Sequence, residues 1–174
     1  MNKDGDRRIN VLSFNCWLVP FVSVMVNDRD MKWLSKHREI RIQALGERLS
    51  HEDYDLICLQ ELWVHDDFQY IRSKVQHYLP FSHFFFAGFL GSGLAIFSRW
   101  PILSTSMYPF TLNGRPTAVW RGDFYAGKGV ATAVVRHHSG TLMEVFTTHV
   151  PFFSKVVDPV SRSIWKGGGH LYVS

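Results

Sequence analysis

The segment that most constrains the fold is an uninterrupted apolar run at residues 56–59, which is followed at once by Gln60 and Glu61. An apolar run of this length without alternation predicts a strand that is buried on both faces. The run stops at a carboxylate, and a polar loop and a helix start come next. Ligands of α/β and sandwich folds gather just beyond strand ends, so Glu61 is a candidate site residue. The alternative, an ordinary acidic residue exposed to water, stays open at this point.

Length and composition indicate one globular domain with a mildly basic surface. The chain has 174 residues, 46% of them hydrophobic, and a formal net charge of +4, which suits a single domain with its own core. The charge permits an anionic partner such as phosphate, nucleic acid or a lipid surface. No run of Lys and Arg like those of nucleic-acid-binding arms is present. We expect Cys16 and Cys58, both in apolar segments, to be buried free thiols in a reducing compartment.

The sequence predicts neither a signal peptide nor a membrane-spanning helix. Residues 1–8 are polar and charged, and no apolar core follows them. The longest apolar candidate, residues 84–97, contains Gly88, Gly91 and Gly93 and falls short of the roughly 18 apolar residues that a spanning helix needs. A helical anchor is therefore not expected within this chain.

The first third of the chain predicts a strand, an apolar loop and a helix. Residues 9–17 predict the strand. Residues 18–26 are apolar but broken by Pro20, which indicates a buried loop or short strand, or a loop that dips into a lipid interface. Ser35 is expected to cap a helix that ends near Ser50. We expect its buried face to hold Ile40, Ala44, Leu45 and Leu49, and its solvated face to hold Arg38, Arg41 and Arg48.

A second helix and a series of strands follow. Asp66 is expected to cap the helix, which Pro80 ends and whose buried residues are Phe68, Ile71 and Val75. Strands are predicted at residues 81–86, 93–98 and 102–110, and a hairpin at 130–136 and 142–148 that places His137 and His138 on the surface. Two helices inserted among early strands, with meandering strands afterwards, indicate a mixed α+β protein.

The segment Gly122-Asp123-Phe124-Tyr125-Ala126-Gly127-Lys128-Gly129 nearly matches a phosphate-binding loop of nucleotide-binding proteins. Gly129 replaces the Ser or Thr that would hold magnesium, and a strand pattern follows where that motif requires a helix. What remains is a glycine-rich turn that carries Asp123 and Lys128. These opposite charges can pair, either as part of a loop that a ligand switches or as an idle surface pair worth about 0–1 kcal/mol.

His149 ends the second strand of the predicted hairpin, as Glu61 ends the earlier strand. A histidine in this place can bind phosphate or position a water molecule, and the alternative is a structural role. No Cys/His spacing typical of zinc sites is present. The G-x-S-x-G elbow of acyl-transfer hydrolases is absent as well.

Several of these motifs together resemble the neutral sphingomyelinases, a branch of the magnesium-dependent endonuclease/exonuclease/phosphatase superfamily. Their order and spacing agree over roughly residues 9–150. The stretches that carry the resemblance are Phe14-Asn15-Cys16-Trp17 with Pro20, residues 34–38, 55–63, 67–71 and 91–98, Thr111-Leu112-Asn113-Gly114, Gly122-Asp123 with Gly127-Lys128, and Thr148-His149.

The resemblance implies the N-terminal half of a DNase I-like, four-layered α/β/β/α sandwich. It implies that Glu61 ligates Mg²⁺ with Asn15 beside it, that His149 faces the phosphate, and that Asp123 and Lys128 act on substrate or as a loop switch. The implied reaction is the hydrolysis of sphingomyelin, in a membrane surface, to ceramide and phosphocholine. Members of the branch are intracellular and membrane-associated. No nucleic-acid partner is expected, and no protein partner can be inferred.

Two departures from the family pattern shape our expectations. About a dozen extra residues lie between Pro20 and Leu34, and the resemblance ends after His149, so that the Gly-Asp-x-Asn and Ser-Asp-His motifs are missing. We therefore expect residues 1–150 to be a half-domain and 151–174 a non-homologous, irregular tail of a truncated and inactive chain. A lost general base typically costs about 10²–10⁴ in rate.

Two alternatives to sphingomyelin hydrolysis remain open. One keeps the superfamily but changes the substrate to abasic-site DNA or an inositol phosphate. The other is a non-catalytic half-domain that binds a membrane or a full-length partner.

Overall fold

Two four-stranded sheets and two helices make up the described part of the chain. The computed structural model describes residues 8–18, 37–86, 92–110, 129–149 and 172–173. The elements are β1 (Val11–Leu18), α1 (Arg38–Ser50), β2 (Leu56–Leu62), α2 (His65–Val75), β3 (Phe81–Phe85), β4 (Leu94–Ser98), β5 (Ile102–Pro109), β6 (Gly129–Arg136), β7 (Leu142–Thr148) and β8 (Tyr172–Val173). The predicted strands and helices are present within these residues, and the mixed α+β class is confirmed.

Each of the two sheets combines one parallel pair of strands with antiparallel pairs. The first sheet has the order β1-β2-β4-β3, in which β1 is parallel to β2 and the other pairs are antiparallel. The second sheet has the order β5-β6-β7-β8, with β8 parallel to β7. The predicted hairpin is the antiparallel pair β6 and β7, joined through residues 137–141.

The described residues form three layers with two apolar cores. One core lies between the helices and the first sheet, and it includes Leu49, Ile57, Leu59 and Ile71. The other lies between the two sheets and joins β2 and β4 to β6 and β7. Because β2 has a core on each side, residues 56–59 are all buried, as the apolar run predicts.

The predicted buried face of α1 is only partly right: Leu49 is buried and Leu45 packs against the core, whereas Ala44 is exposed. Ile40 is 62% exposed, and the buried residues are Ile42, Gly46 and Leu49. The physical reason is the close approach of α2: a Cβ atom on Gly46 would lie 2.6 Å from Cε1 of Tyr70. Gly46 of α1 faces α2. The residues of α1 that are buried therefore differ from the set that periodicity alone predicts.

The solvated face predicted for α1 is only partly right. Arg48 is exposed and pairs with Glu52, as expected for a solvated residue. Arg38 instead forms an ion pair with the nearly buried Asp67, and Arg41 donates a hydrogen bond to the carbonyl oxygen of Trp17. Both arginines lie in the first turn of the helix, where they meet α2 and the end of β1.

The predicted helix caps also need correction. The residue before α1 is His37, in a left-handed conformation with φ 63°, and the helix begins at Arg38. The second helix begins at His65 after Val64, which provides no side-chain cap. Asp66 therefore lies inside the first turn, beside Asp67, where carboxylates interact favourably with the helix dipole.

Both thiols are buried and free, as predicted from their apolar segments. Burial raises the pKa of Cys58 to about 12, so this thiol stays protonated and unreactive. His138 is exposed as predicted, but His137 is half-buried, and its ring centroid lies 4.5 Å from that of Trp100.

Several predictions fall outside the described residues. The residues concerned are Ser35 itself, the loop after Leu18, the turn that carries Asp123 and Lys128, and the tail apart from β8. The division at residue 150 stays a prediction. Neither described helix has the length and apolar composition that crossing a bilayer requires.

Candidate active site at the edge of the two sheets

The end of β2 is distorted where it carries Glu61. Asn15 pairs with Gln60 and Leu18 with Leu62, so two residues of β1 face Glu61 alone and form a bulge. Glu61 has φ 58° and Trp17 has φ 49°, which is a left-handed conformation that residues other than glycine rarely adopt. Bulges and strained residues are concentrated at functional sites.

Three side chains meet at this bulge. Nδ2 of Asn15 donates a hydrogen bond to Oε1 of Glu61 at 2.8 Å, and Nε2 of His149 lies 3.4 Å from the same oxygen. The side chains of Glu61 and His149 are 16% and 13% exposed. The structure therefore brings together three of the five predicted site residues, from β1, β2 and the end of β7.

Trp63 forms one wall of the site. Its ring centroid lies 5.8 Å from that of His149. A Cβ atom on Gly93, whose φ is 70°, would lie 3.1 Å from the Trp63 indole, so only glycine fits there without strain. Nδ1 of His149 and Nε1 of Trp63 are buried and have no hydrogen-bond partner among the described residues.

Gln60 joins the two sheets directly beneath the site. Its Nε2 donates to the Ser13 hydroxyl on β1 at 3.1 Å and to the Thr147 hydroxyl on β7 at 3.2 Å. The side chain is 5% exposed. Because Gln60 precedes Glu61 and Thr147 lies two residues before His149, this bond sets the distance between the two strand ends. In the sequence, the signal for a buried residue that links the sheets is the amide of Gln60, which directly follows the apolar run at residues 56–59.

Charged groups surround the bulge from the side of the helices. Arg38 pairs with Asp67, and the pKa of the Asp67 carboxyl is raised because the effect of burial outweighs the opposing effect of that arginine. Burial, reinforced by the negative charges of Glu61 and Asp67, raises the pKa of the Cys16 thiol. Arg38, Arg41 and Asp67 were not predicted as site residues, because only the folded helices bring them to the strand end.

The side chains at this edge suit a hard cation held by few protein ligands. No group of three or more His, Cys, Asp or Glu residues converges as a metal site within the described residues. Mg²⁺ commonly uses one or two carboxylates and completes its shell with waters and phosphate oxygens, so Glu61 fits it in kind. Oδ1 of Asn15 accepts the N–H of Trp17 at 2.9 Å, which leaves the amide nitrogen to orient Glu61.

A separate cleft of about 470 Å³ lies between β3 and β5. Its lining includes His65, Arg72 and His83, and none of the three side chains that meet at the bulge. The candidate site at the sheet edge is thus separate from this cleft.

A family profile described as the endonuclease/exonuclease/phosphatase family matches residues 12–167. The chain belongs to this family. The two-sheet sandwich of the described residues is consistent with this membership.

Curated relatives of this endonuclease/exonuclease/phosphatase domain include two kinds of sphingolipid enzyme. The chain is 48% identical over 150 residues to an inositol phosphosphingolipids phospholipase C of Schizosaccharomyces pombe, covering 86% of this chain and 32% of the relative. It is 38% identical over 150 residues to human sphingomyelin phosphodiesterase 2, with the same coverage of both chains. The chain thus spans about a third of the length of these relatives, and the predicted resemblance to the N-terminal region of neutral sphingomyelinases is confirmed.

Solved structures confirm the fold of the domain. Sphingomyelinase C from Streptomyces griseocarneus superposes with a TM-score of 0.62 at 18% identity, covering 81% of this chain and 48% of that one. A Staphylococcus aureus beta toxin mutant with bound magnesium ions gives a TM-score of 0.61 at 16% identity, with 80% and 48% coverage. The predicted DNase I-like α+β sandwich, of which this chain covers part, is confirmed.

Proposed function

We propose that this domain contributes to a Mg²⁺-dependent phosphodiesterase of the neutral sphingomyelinase type, which hydrolyses sphingomyelin in a membrane surface to ceramide and phosphocholine. The observation that supports the proposal most is the meeting of Glu61 and His149, which belong to different sheets and lie 3.4 Å apart. The reaction adds water across the bond between phosphorus and the ceramide oxygen. The water oxygen stays on phosphocholine, and a proton goes to the ceramide oxygen.

Each side chain at the bulge has a proposed task. Glu61 holds Mg²⁺, and a bound ion would polarise the phosphodiester. Asn15 fixes the orientation of the Glu61 carboxylate through its 2.8 Å hydrogen bond. His149 faces the phosphate and positions it or the attacking water. Asp123 and Lys128 stay predicted as substrate-contacting or loop-switching residues.

The head group is the finer part of the proposal. One relative is named for inositol phosphosphingolipids and another for sphingomyelin. Both names describe a phosphodiester on a sphingolipid, so the shared chemistry is cleavage on the ceramide side of the phosphate. We propose sphingomyelin as the substrate. Preferential cleavage of an inositol phosphosphingolipid would replace it.

Two other functions are alternatives to sphingomyelin hydrolysis. Abasic-site DNA and inositol phosphates are alternative diester or phosphate substrates of the superfamily. The second is a non-catalytic domain that binds lipid vesicles without turnover.

The test is Mg²⁺ binding and head-group release by the 174-residue chain. Isothermal titration should detect Mg²⁺ binding that Glu61→Gln abolishes, since that change removes the charge but keeps the side-chain shape. Because we propose that this chain is by itself nearly inactive, mixed micelles of sphingomyelin should release at most traces of phosphocholine with Mg²⁺ and none after EDTA. We expect a low rate, because the Gly-Asp-x-Asn and Ser-Asp-His motifs are not among these residues and a missing general base costs about 10²–10⁴.

Glu52→Gln is the matched control, since Glu52 pairs with Arg48 away from the bulge. Mg²⁺ binding that is equal in Glu61→Gln and Glu52→Gln would refute the metal site. If the chain nicks abasic-site DNA faster than it releases phosphocholine, abasic-site DNA replaces sphingomyelin as the proposed substrate. Vesicle binding that survives Glu61→Gln, without any turnover, would favour the non-catalytic function.

A further inference from the structure

Arg41 holds Trp17 from two sides. Its Nη2 donates a hydrogen bond to the Trp17 carbonyl oxygen at 3.0 Å, and its guanidinium carbon lies 5.4 Å from the centroid of the Trp17 ring. The first contact fixes the backbone, and the second is a cation–π contact that fixes the ring. Trp17 has φ 49°, a conformation that a bulky aromatic residue rarely adopts without such support.

The left-handed conformation of Trp17 sets the direction of its own N–H. That N–H donates to Oδ1 of Asn15 at 2.9 Å. Because a backbone N–H can only donate, the atom it meets is the amide oxygen, and the amide nitrogen is left for another acceptor. That acceptor is Oε1 of Glu61, at 2.8 Å from Nδ2. A continuous series of contacts therefore runs from Arg41 through Trp17 and Asn15 to Glu61.

We infer that Arg41 is a positioning residue, which orients the Glu61 carboxylate by holding Trp17 in its left-handed conformation. The inference rests on the proposed function, because it assigns this orientation to metal binding. Without the Arg41 contacts, Trp17 relaxes toward negative φ and its N–H leaves Asn15. The amide of Asn15 can then rotate and turn its oxygen toward Glu61, where two acceptors repel each other.

The surroundings of Arg41 separate this role from ordinary ion pairing. Arg38 and Arg48 on the same helix each pair with a carboxylate. For Arg41 the described residues offer no such pair, and its Nε is buried without a hydrogen bond within them. Its contacts with Trp17 are therefore its main contribution, and the residue that they constrain is two positions from Asn15.

The experiment compares Arg41→Met, Arg41→Lys and Arg48→Met in the 174-residue chain. Methionine keeps an unbranched apolar stem and removes the donor and the charge, and Arg48→Met is the control on the exposed face. We expect Arg41→Met to weaken Mg²⁺ binding about 10–100-fold, the usual effect of losing an outer-shell partner. Arg41→Lys keeps a donor and a cation and should recover most of the affinity. The unfolding midpoints of Arg41→Met and Arg48→Met should agree.

A second measurement does not depend on the metal. In ¹⁵N NMR spectra, the side-chain amide protons of Asn15 should exchange faster with water in Arg41→Met than in Arg48→Met. Equal Mg²⁺ affinity and equal Asn15 exchange in these two variants would overturn the inference. A wild-type chain that binds no Mg²⁺ refutes the proposed function, and Asn15 exchange then decides the positioning role alone. If Arg41→Met does not fold, Arg41→Gln replaces it, and the exchange of the Asn15 side-chain amide protons is measured in the same way. Unchanged exchange in Arg41→Gln would overturn the inference.

Discussion

Glu61 shows how one backbone conformation re-aims a side chain. Leu56 and Cys58 pack in the core between the sheets, whereas Ile57 and Leu59 pack against the helices. Strict alternation along β2 would place Leu62 between the sheets, yet it packs with Ile57 and Leu59. The phase of the strand therefore changes at Glu61, whose φ is 58°. This change carries the carboxylate to the side of Asn15 and His149.

The strained backbone at Glu61 predicts that a glycine at this position makes the chain more stable although Mg²⁺ binding is lost. Glu61→Gly and Glu61→Gln both remove the carboxylate, but only glycine adopts a positive φ without cost. We expect the glycine variant to have a free energy of unfolding about 1 kcal/mol higher than the glutamine variant, as measured by urea denaturation. Both variants should lose Mg²⁺ binding. A glycine variant less stable than the glutamine variant would show that the left-handed backbone carries no strain.

The packing of α1 on α2 determines which residues of α1 reach the site. Gly46 allows Tyr70 to approach, and this contact orients the helix so that Ile42 and Leu49 are buried and Ile40 is exposed. The same rotation directs Arg41 toward Trp17 at the end of β1. The contact between the helices is thus linked to the geometry at the sheet edge.

A larger residue at position 46 should separate the two helices. Gly46→Leu is expected to lower the free energy of unfolding by about 1–3 kcal/mol through overpacking, although helix propensity alone favours replacement of glycine by about 1 kcal/mol. Ala44→Leu, on the exposed side of α1, is the control and should change stability by less than about 0.5 kcal/mol. Urea unfolding followed by circular dichroism measures both. If Gly46→Leu stabilises the chain, the close approach of Tyr70 is not a packing constraint.

The sandwich as a whole is what makes a site from distant parts of the chain. Glu61 and His149 are 88 positions apart in the chain, and they meet because β2 and β7 belong to sheets that share a core. Beneath them, the hydrogen bonds of Gln60 with Ser13 and Thr147 link the two sheets through buried polar groups. An apolar core alone permits small sliding of one sheet over the other, whereas directional hydrogen bonds specify one position.

Loss of the Gln60 amide should therefore affect the whole molecule. Gln60→Ala leaves the Ser13 and Thr147 hydroxyls without this donor, and we expect a loss of about 1–3 kcal/mol in the free energy of unfolding. Gln43→Ala on the exposed face of α1 is the control. Backbone ¹⁵N chemical shifts of Glu61 and His149 should also change in Gln60→Ala, because the strand ends shift relative to each other. Unchanged shifts at both residues would contradict this role for Gln60.

Local patterns were sufficient to predict the elements and the candidates Glu61 and His149, whereas Asn15 was predicted from the family resemblance. The apolar run at 56–59 predicts β2 because burial on both faces favours apolar residues at every position of that part of the strand, and the fold class follows from the order of elements. Glu61 and His149 were found as polar residues at strand ends. The buried face of α1 was predicted only in part and the roles of Arg38 and Arg41 were not, since periodicity identifies a stripe of residues but not the neighbour that it packs against.

The amino-acid sequence was enough to identify β2, the hairpin, the α+β class and the candidates Asn15, Glu61 and His149. Only the tertiary structure brought the side chains of Asn15 and His149 to one oxygen of Glu61, because distances between residues far apart in the chain depend on how the sheets pack. The left-handed conformations of Trp17 and Glu61 were likewise decided by the bulge between β1 and β2. Local propensity disfavours both conformations, and contacts from Arg41 and Asn15 accompany them in the folded chain.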